Sequence, residues 1–479
     1  MDLKDILWGD DCAENDHNLL KYFVDAKKVE RMVKASKSII VGRKGSGKSA
    51  VRKYIFDYMK KKSDKMIVVE TQPNYSFMQE ISEENENVLR NEIFYRFLWI
   101  QHLFQLALVK VGDRCAGKKT SASEEFARKM AKEFEMTTPD FIEALTNAAQ
   151  AVKVTLGEKG NFGLNIENQI RHSLDVDTYE YHIKKLIEDE YEFCFIVDDL
   201  DLGWDNSKAA NELLQGLLNS ITYIKNISNV SIFVCIRNDI YDMLMSQTTH
   251  SDKFRNCEQI RWDDSSLKKL LVERLEFNYL DNGKELPQDI FHAIFPDKVG
   301  NMNTEKWLIE RTLSRPRELI QLVRTYTEST SVKDADELKK AEEIYSKWKL
   351  NDLCTEYKFS YPGLEQIFTY WTKEFYRCKY HLSKEDYEKM IEKIFKNVEL
   401  KENWFADLAE RNDIVGFMNV LFKIGFLGDF IKGGQGGTKV VYSYQDDDTP
   451  KLKEVQIHPC YRKVLGTVER IRNKKDERE

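Results

Sequence analysis

Glycine is scarce in this sequence, with 22 in 479 residues, yet three glycines lie within residues 42–49. A short β-branched run at 38–41 precedes this segment, and apolar residues at helical spacing follow it as far as Met59. Glycines let such a loop wrap until successive backbone N–H groups point inward, and the first turn of the helix adds the positive end of its dipole. A strand, a glycine loop and a helix in this order predict a phosphate-binding loop in an α/β fold with a parallel sheet.

Residues 42–49 match the Walker A pattern, G-x-x-x-x-G-K-S/T, at every fixed position. Lys48 is predicted to contact the β- and γ-phosphates of ATP, and the Ser49 hydroxyl to bind Mg²⁺. The loop backbone and the first helical turn supply the remaining contacts. The predicted nucleotide-binding residues here are Gly42, Lys44, Gly45, Ser46, Gly47, Lys48, Ser49 and Ala50.

A second strand, at 193–197, ends directly in Asp198 and Asp199. Carboxylates that follow a buried parallel strand lie at the carboxyl edge of the sheet, where open α/β sheets bind ligands. Asp198 is therefore the predicted second Mg²⁺ ligand, and Asp199 the predicted group that orients the attacking water. Asp201 competes for the role of Asp199, and an ordinary acidic turn at the end of a strand is the alternative to both.

The strand at 230–236 is followed by Arg237 and Asn238. If this strand lies beside the one that ends at Asp198, these polar side chains would lie close to the γ-phosphate. The alternative is a surface turn that caps a helix at 240–244, and the two interpretations are compatible.

Two arginines flank a proline at Arg315-Pro316-Arg317. Proline is favoured at the first position of a helix, so a helix is predicted to start at Pro316. Arginines are unfavourable at that positive end of the helix dipole unless an anion is close by. A γ-phosphate is one candidate anion, and Glu318 is the other.

Together these motifs resemble the AAA+/STAND-type P-loop ATPases, and more narrowly the bacterial ATPases often encoded in anti-phage defence loci. The resemblance rests on residues 42–49, 196–201, 237–240 and 314–320, and it covers roughly residues 1–335. It implies a sensor 1 at Arg237 or Asn238 and a sensor 2 at Arg317. Relatives often carry glutamate where this chain has Asp199, which implies slow turnover.

The resemblance also assigns a role to Arg255, just before a short strand near 259–262. AAA+ proteins often place an arginine finger at this point, which completes the site of a neighbouring copy and implies a homo-oligomer. An ordinary surface arginine is the alternative.

The expected organisation is an ATPase core at 1–264 with a helical insertion at about 84–190, a helical lid at 265–335, and a mostly helical, winged-helix-like domain at 340–479. In the last domain a helix at 414–423 precedes a hairpin of strands at 440–444 and 455–457, with three aspartates at its tip, Asp446 to Asp448. The aspartates would repel DNA phosphates, although lysines are close, so protein docking is favoured over DNA binding. The second glycine cluster, at 433–437, has no lysine or helix start after it and is predicted to be a hairpin loop.

Composition excludes several classes. The net charge of −7 argues against a protein that coats nucleic acid, and the eight cysteines show neither a zinc-ligand spacing nor a disulfide pattern. The longest apolar stretch, 97–109, is too short to cross a bilayer, and no signal peptide opens the chain, so a cytoplasmic location is expected. No nuclease, protease or deaminase signature is present. The preferred hypothesis is an oligomerising ATP-dependent switch with a protein effector partner, and the alternative is an initiator-like DNA-binding ATPase.

Overall fold

The structure is a computed structural model that describes residues 1–74, 92–115, 120–137, 141–158, 166–248, 254–433, 437–445 and 449–469. The chain forms two compact units. The sheet unit contains Cys12–Asn15 and Asp25–Arg261, and the helical unit contains Met1–Asp11, Asp16–Val24 and the chain from Trp262 onward. The predicted lid and the predicted C-terminal domain lie together in the helical unit, where they share one hydrophobic core.

Five parallel strands form the sheet in the described part of the sheet unit. They are β1 (Ile39–Gly42), β2 (Met66–Thr71), β3 (Glu192–Val197), β4 (Val230–Arg237) and β5 (Cys257–Gln259). Their order is β2-β3-β4-β1-β5, so β4 lies between the strand that leads into the glycine loop and the strand that ends at Asp198. This arrangement confirms the predicted P-loop NTPase fold class and brings the carboxyl ends of β1, β3 and β4 to one edge.

The sheet unit contains nine helices in the described ranges. They are α1 (Ala26–Lys34), α2 (Lys48–Lys60), α3 (Glu92–Arg114), α4 (Ala122–Thr137), α5 (Phe141–Glu158), α6 (Ile166–Ser173), α7 (Val176–Glu188), α8 (Lys208–Lys225) and α9 (Asn238–Gln247). Helices α3 to α7 occupy the predicted insertion. Helix α3 is buried on most of its faces and packs on β2, α4 and α8, so it belongs to the core of the unit.

Helices also dominate the helical unit between 262 and 360. They are α10 (Asp264–Asp281), α11 (Ile290–Ile294), α12 (Thr304–Ile309), α13 (Pro316–Ser329) and α14 (Ala335–Glu356), with a small ribbon of β6 (Lys298–Val299) and β7 (Met302–Asn303). Trp8 is buried against these helices, and its indole N–H donates to the Thr327 hydroxyl at 2.9 Å. The start of the chain is therefore part of this core.

The rest of the helical unit ends in a four-stranded antiparallel sheet. The helices and strands of this region are, in chain order, α15 (Leu364–Glu374), β8 (His381–Ser383), α16 (Lys384–Asn397), α17 (Asn403–Glu410), α18 (Ile414–Lys423), β9 (Leu427–Ile431), β10 (Lys439–Val441), β11 (Glu454–Ile457) and α19 (Pro459–Arg462). Helix α18 has the predicted bounds. None of the helices in the described ranges combines the length and the apolar character needed to cross a membrane.

The predicted hairpin of 440–444 and 455–457 is wrong. The strand order is β10-β9-β11-β8, so β10 and β11 lie on opposite sides of β9 and do not pair with each other. The hairpin is formed by β9 and β10, and its loop contains Gly433 and Gly437, as predicted for that glycine cluster. Residues 434–436 and the three aspartates at 446–448 lie outside the described residues.

Candidate nucleotide-binding site

The loop between β1 and α2 has the backbone geometry that its glycines predict. Gly45 and Gly47 have positive φ angles of 74° and 96°, a region that costs L-residues energy. A Cβ atom on Gly42 would lie 2.4 Å from the Ser46 Oγ, so a side chain there would force the Ser46 side chain to move. The path of the chain, which turns tightly and leads directly into α2, therefore requires Gly45 and Gly47 and favours glycine at position 42.

Lys48 is the first residue of α2, and its side chain lies back across the loop. Its Nζ donates to the carbonyl oxygens of Gly42 at 3.1 Å and Arg43 at 3.2 Å. Burial lowers the pKa of Lys48, and the nearby Asp201 and Asp198 oppose that shift. A partly buried ammonium at the end of β1, held by carbonyl oxygens, is placed to bind an anion in the loop.

Asp198 and Asp199 lie at the same edge of the sheet, where β3 ends. Asp198 is 1% exposed, and burial, followed by the charge of Asp199, raises its pKa to about 6. Asp199 has a positive φ of 56°, and its Oδ2 accepts a hydrogen bond from the Gln72 amide at 2.8 Å. Burial, Glu14 and Asp201 raise the pKa of Asp199. The two carboxylates thus differ, because one is buried and the other is held at the surface of the site.

Glu14 joins these carboxylates, although the sequence analysis did not identify it. One oxygen from each of Glu14, Asp198 and Asp199 lies within 4.8 Å of the others, a cluster found among the described residues. Mg²⁺ prefers oxygen ligands and is usually held by one or two carboxylates together with phosphate and water. The donor set therefore fits Mg²⁺ beside the phosphate loop, with Ser49 and Asp198 as the expected protein ligands.

Arg52 is a second residue that the sequence analysis missed. It lies one helical turn after Lys48 on α2, and its side chain is 9% exposed. Its Nε lies 3.1 Å from Asp198 Oδ2, its Nη1 is 2.8 Å from Glu70 Oε1, and its Nη2 is 2.7 Å from Glu14 Oε1. The i, i+4 spacing from Lys48 was the available signal, because it places both cations on one face of the helix.

Arg237 and Asn238 occupy the end of β4, between the loop and Asp198. The Arg237 guanidinium pairs with Asp201 at 3.2 Å and with Asp239 at 2.7 Å. Asn238 begins α9, and its amide donates to Asp242 at 3.0 Å. Strand β4 lies beside β3, which is the arrangement that the sequence analysis required for these side chains to lie close to a bound γ-phosphate. Asp201, the competitor for the role of Asp199, is the ion-pair partner of Arg237.

Arg255 is exposed and lies two residues before β5. The contact with a neighbouring copy that the resemblance implies for it stays a prediction.

In the helical unit, α13 starts at Pro316 as predicted, but its two arginines have different surroundings. The Arg315 guanidinium is 2% exposed and lies 2.6 Å from Glu356 and 3.5 Å from Glu318. These carboxylates hold it inside the unit and oppose the nucleotide contact predicted for it, which stays a prediction. Arg317 is partly buried, and its Nε has no hydrogen-bond partner among the described residues. Glu318, the alternative to a γ-phosphate as the nearby anion, forms an ion pair with Arg315.

Three comparisons with known proteins bear on this chain. Residues 265–354 match the family model of the FunZ-associated C-terminal helical domain. The chain is 22% identical over 481 aligned residues to the "Putative transposon gamma-delta 80.3 kDa protein" of Escherichia coli (strain K12). That alignment covers 95% of this chain and 66% of the relative, so the chain spans just under two thirds of the relative's length.

Among solved structures, the chain is similar to the Aeropyrum pernix ORC2 protein in its ADPNP–ADP complexes. The identity is 10%, the TM-score is 0.39, and the match covers 94% of this chain and 92% of that one. The strand order and the loop geometry of the chain itself carry the conclusion about its fold. This is an AAA+-like P-loop NTPase fold.

Proposed function

We propose that this protein binds Mg·ATP in the sheet unit and hydrolyses it slowly, as an oligomerising switch or sensor in bacterial anti-phage defence that acts on a protein effector. The observation that supports nucleotide binding is the meeting of the Lys48 loop and Asp198 at one sheet edge within one compact unit. The role in defence rests on the resemblance of the motifs.

Each residue of the site has a distinct role in this proposal. The loop N–H groups and Lys48 bind the phosphates, and Ser49 and Asp198 hold Mg²⁺, which when bound neutralises charge on the β- and γ-phosphate oxygens. Asp199 orients the attacking water. Its short side chain and its hydrogen bond from Gln72 support slow turnover, since the carboxylate is already engaged.

Four further residues belong to the proposed machinery. Arg237 or Asn238 acts as the sensor at the end of β4, and Arg317 is the second sensor, supported by its Nε, which has no hydrogen-bond partner among the described residues. Arg255 reaches the site of a neighbouring copy. Because Arg237 is already ion-paired with Asp201 and Asp239, its response to nucleotide would require exchange of these partners.

The first test compares Lys48→Ala with Lys60→Ala, a change at the exposed end of the same helix. Loss of a charged hydrogen-bond donor to phosphate is worth about 1.5–3 kcal/mol, so we expect Lys48→Ala to bind ATP at least ~10-fold more weakly. Lys60→Ala should bind as the wild type does. Titration with a fluorescent ATP analogue measures both, and wild-type affinity and turnover in Lys48→Ala would refute the assignment.

The second test addresses assembly. Native mass spectrometry with and without Mg·ATP should show a nucleotide-dependent rise in mass, and Arg255→Ala should retain ATP affinity but lose turnover. An Arg255→Ala variant that hydrolyses ATP at the wild-type rate would show that this residue is an ordinary surface arginine. Protein purified with the products of its neighbouring genes would show whether an effector is bound.

The alternative function is DNA binding through residues 364–457, whose order of helices and strands supports a winged helix. The name of the Escherichia coli relative, a putative transposon protein, favours this alternative. The exposed face of α18 opposes it, because Val415, Asn419 and Lys423 offer only one cation. We therefore favour protein docking. Salt-dependent duplex binding that is lost in a Lys423→Glu, Lys439→Glu variant would reverse this preference.

A further inference from the structure

Arg52 connects three acidic side chains that come from different parts of the sheet unit. Asp198 follows β3, Glu70 lies in β2, and Glu14 belongs to the short segment Cys12–Asn15. Each of the three guanidinium nitrogens faces a different one of these carboxylates, at 3.1, 2.8 and 2.7 Å. All three contacts are ion pairs, and those to Glu70 and Glu14 are also hydrogen bonds.

The segment Cys12–Asn15 is anchored to α2 at two neighbouring residues. Arg52 binds the Glu14 carboxylate, and the Lys53 Nζ donates to the Ala13 carbonyl oxygen at 3.0 Å. Of these two anchors, Arg52 is the one that also contacts Asp198. Arg52 therefore links this segment to the carboxyl end of β3, where the Glu14 carboxylate also lies within 4.8 Å of Asp198 and Asp199 oxygens.

We infer that Arg52 is a positioning residue that fixes the Asp198 carboxylate for Mg²⁺, and that Glu14 and Glu70 hold Arg52 in place. The inference rests on the proposed function, because it names what orients the metal-linked carboxylate. Metal-ligating carboxylates depend on such partners, and losing one partner commonly weakens metal affinity ~10–100-fold.

Arginine suits this position for a geometric reason. Its planar guanidinium carries donors in a fixed fork, so one side chain can face three carboxylates at once. A lysine offers one compact ammonium and cannot span the same three partners. Burial would lower the pKa of Arg52, but Glu14, Glu70 and Asp198 raise it above its usual value, so the cation is retained next to the buried Asp198.

The test measures the affinity of a fluorescent ATP analogue in EDTA and in saturating Mg²⁺. The affinity in Mg²⁺ divided by the affinity in EDTA is the metal-dependent gain in affinity. We expect Arg52→Met to reduce this gain ~10-fold or more, with little change of affinity in EDTA, because the loop and Lys48 remain. Arg52→Lys should fall between this variant and the wild type. Lys53→Met is the matched control, since it removes the other anchor of the segment, and it should keep the full gain.

A wild-type gain in Arg52→Met would overturn the inference, as would equal losses in EDTA and Mg²⁺, which would indicate a general structural role. If Arg52→Met melts below the assay temperature, Glu14→Gln and Glu70→Gln each remove one anchor of Arg52, and a full gain in both would also overturn it. If the wild type itself shows no metal-dependent gain, the proposed function fails instead.

Discussion

At the scale of single residues, Asp198 is a predicted metal ligand whose buried carboxylate lowers the stability of the folded protein. Its carboxylate is almost completely buried, and both burial and Asp199 raise its pKa, while Lys48 and Arg52 act in the opposite direction. A buried charge that is only partly compensated costs free energy of folding. Without a bound cation, the sheet unit is therefore less stable than it would be with a neutral side chain at this position.

Asp198→Asn should stabilise the nucleotide-free protein at pH 7.5, and less so at pH 4.5. The folded pKa of about 6 lies above the ordinary value near 4, so the cost of the ionised carboxyl is absent below about pH 4 and complete above about pH 6. A shift of this size corresponds to roughly 1–3 kcal/mol. Urea unfolding in EDTA at the two pH values measures it, and an equal difference at both would contradict the explanation.

Arg315 and Arg317 provide a second comparison of single residues. Arg315 lies in a buried cluster with Glu318, Glu356 and Lys349, whose Nζ is 2.9 Å from Glu318. Removing one partner of a buried ion pair leaves an uncompensated charge and costs ~3–5 kcal/mol. Arg315→Met should therefore destabilise the helical unit strongly in chemical unfolding, while Arg317→Met, two residues away, should cost less than ~1 kcal/mol. Equal losses would show that the cluster does not stabilise the unit.

The sequence predicted the residues of the phosphate loop and both aspartates because these follow each other within short motifs, and the structure places them at one edge of the sheet. The sequence did not predict Glu14 and Arg52 as part of the site, because an ion pair between a loop and a distant helix leaves no local sequence pattern. The sequence also could not separate Arg315 from Arg317. Arg315 is the N-cap and Arg317 the second residue of the helix, so both belong to its start, and only the packing of α14 shows which carboxylates face which arginine.

At the scale of elements, α3 and α8 pack closely because of one glycine. A Cβ atom on Gly216 of α8 would lie 2.4 Å from the Tyr95 Cβ and 2.8 Å from the Tyr95 carbonyl carbon. These atoms belong to the backbone region of α3 and cannot move away without shifting the helix. The close contact buries the apolar face of α3 and helps to fix the helix that follows β2.

Gly216→Ala should destabilise the protein by ~1–3 kcal/mol, although alanine is the better helix former by ~1 kcal/mol. The matched control is Thr222→Ala on the exposed face of the same helix, which should be neutral or slightly stabilising. Thermal or urea unfolding gives the sign of each change. A stabilising Gly216→Ala would mean that the helices separate at little cost.

Elements with a local signal were predicted well, and strand pairing was not. Helix α18 matches its predicted bounds because its apolar spacing and its Asp413 cap are local features. The choice of β9 as the partner of both β10 and β11 depends on distant contacts. The Asp429 carboxylate in β9 accepts the backbone N–H groups of Lys451 and Leu452 at 2.8 and 3.1 Å, which holds the chain beside β9 before β11 begins.

At the scale of the whole molecule, the first 24 residues are divided between the two units, and most of them belong to the helical unit. Residues 1–11 and 16–24 pack in the helical unit, and Cys12–Asn15 packs in the sheet unit. Trp8 is the main apolar anchor in the first stretch, since it is buried and hydrogen-bonded to Thr327, while its neighbour Leu7 is 68% exposed. The division of the fold into units therefore does not follow the order of the chain.

Trp8→Ala should loosen the helical unit and leave the sheet unit largely unchanged. Truncation of a buried tryptophan costs ~3–5 kcal/mol. Hydrogen–deuterium exchange followed by mass spectrometry should show faster exchange in α10 and α13, with β1 and β3 unaffected. Leu7→Ala is the control and should resemble the wild type, and equal exchange in the two variants would exclude Trp8 as an anchor.

The hydrogen bond between Trp8 and Thr327 joins residues 319 positions apart. On a ribosome, Trp8 must therefore wait until more than three hundred further residues have been made before it can reach its partner. Glu14 and its partner Arg52, by contrast, are only 38 positions apart in the sequence. The strands of the sheet unit can thus assemble before Thr327 has been made, whereas the contact of Trp8 in the helical unit can form only after it, and until then the exposed indole is a site that chaperones could recognise.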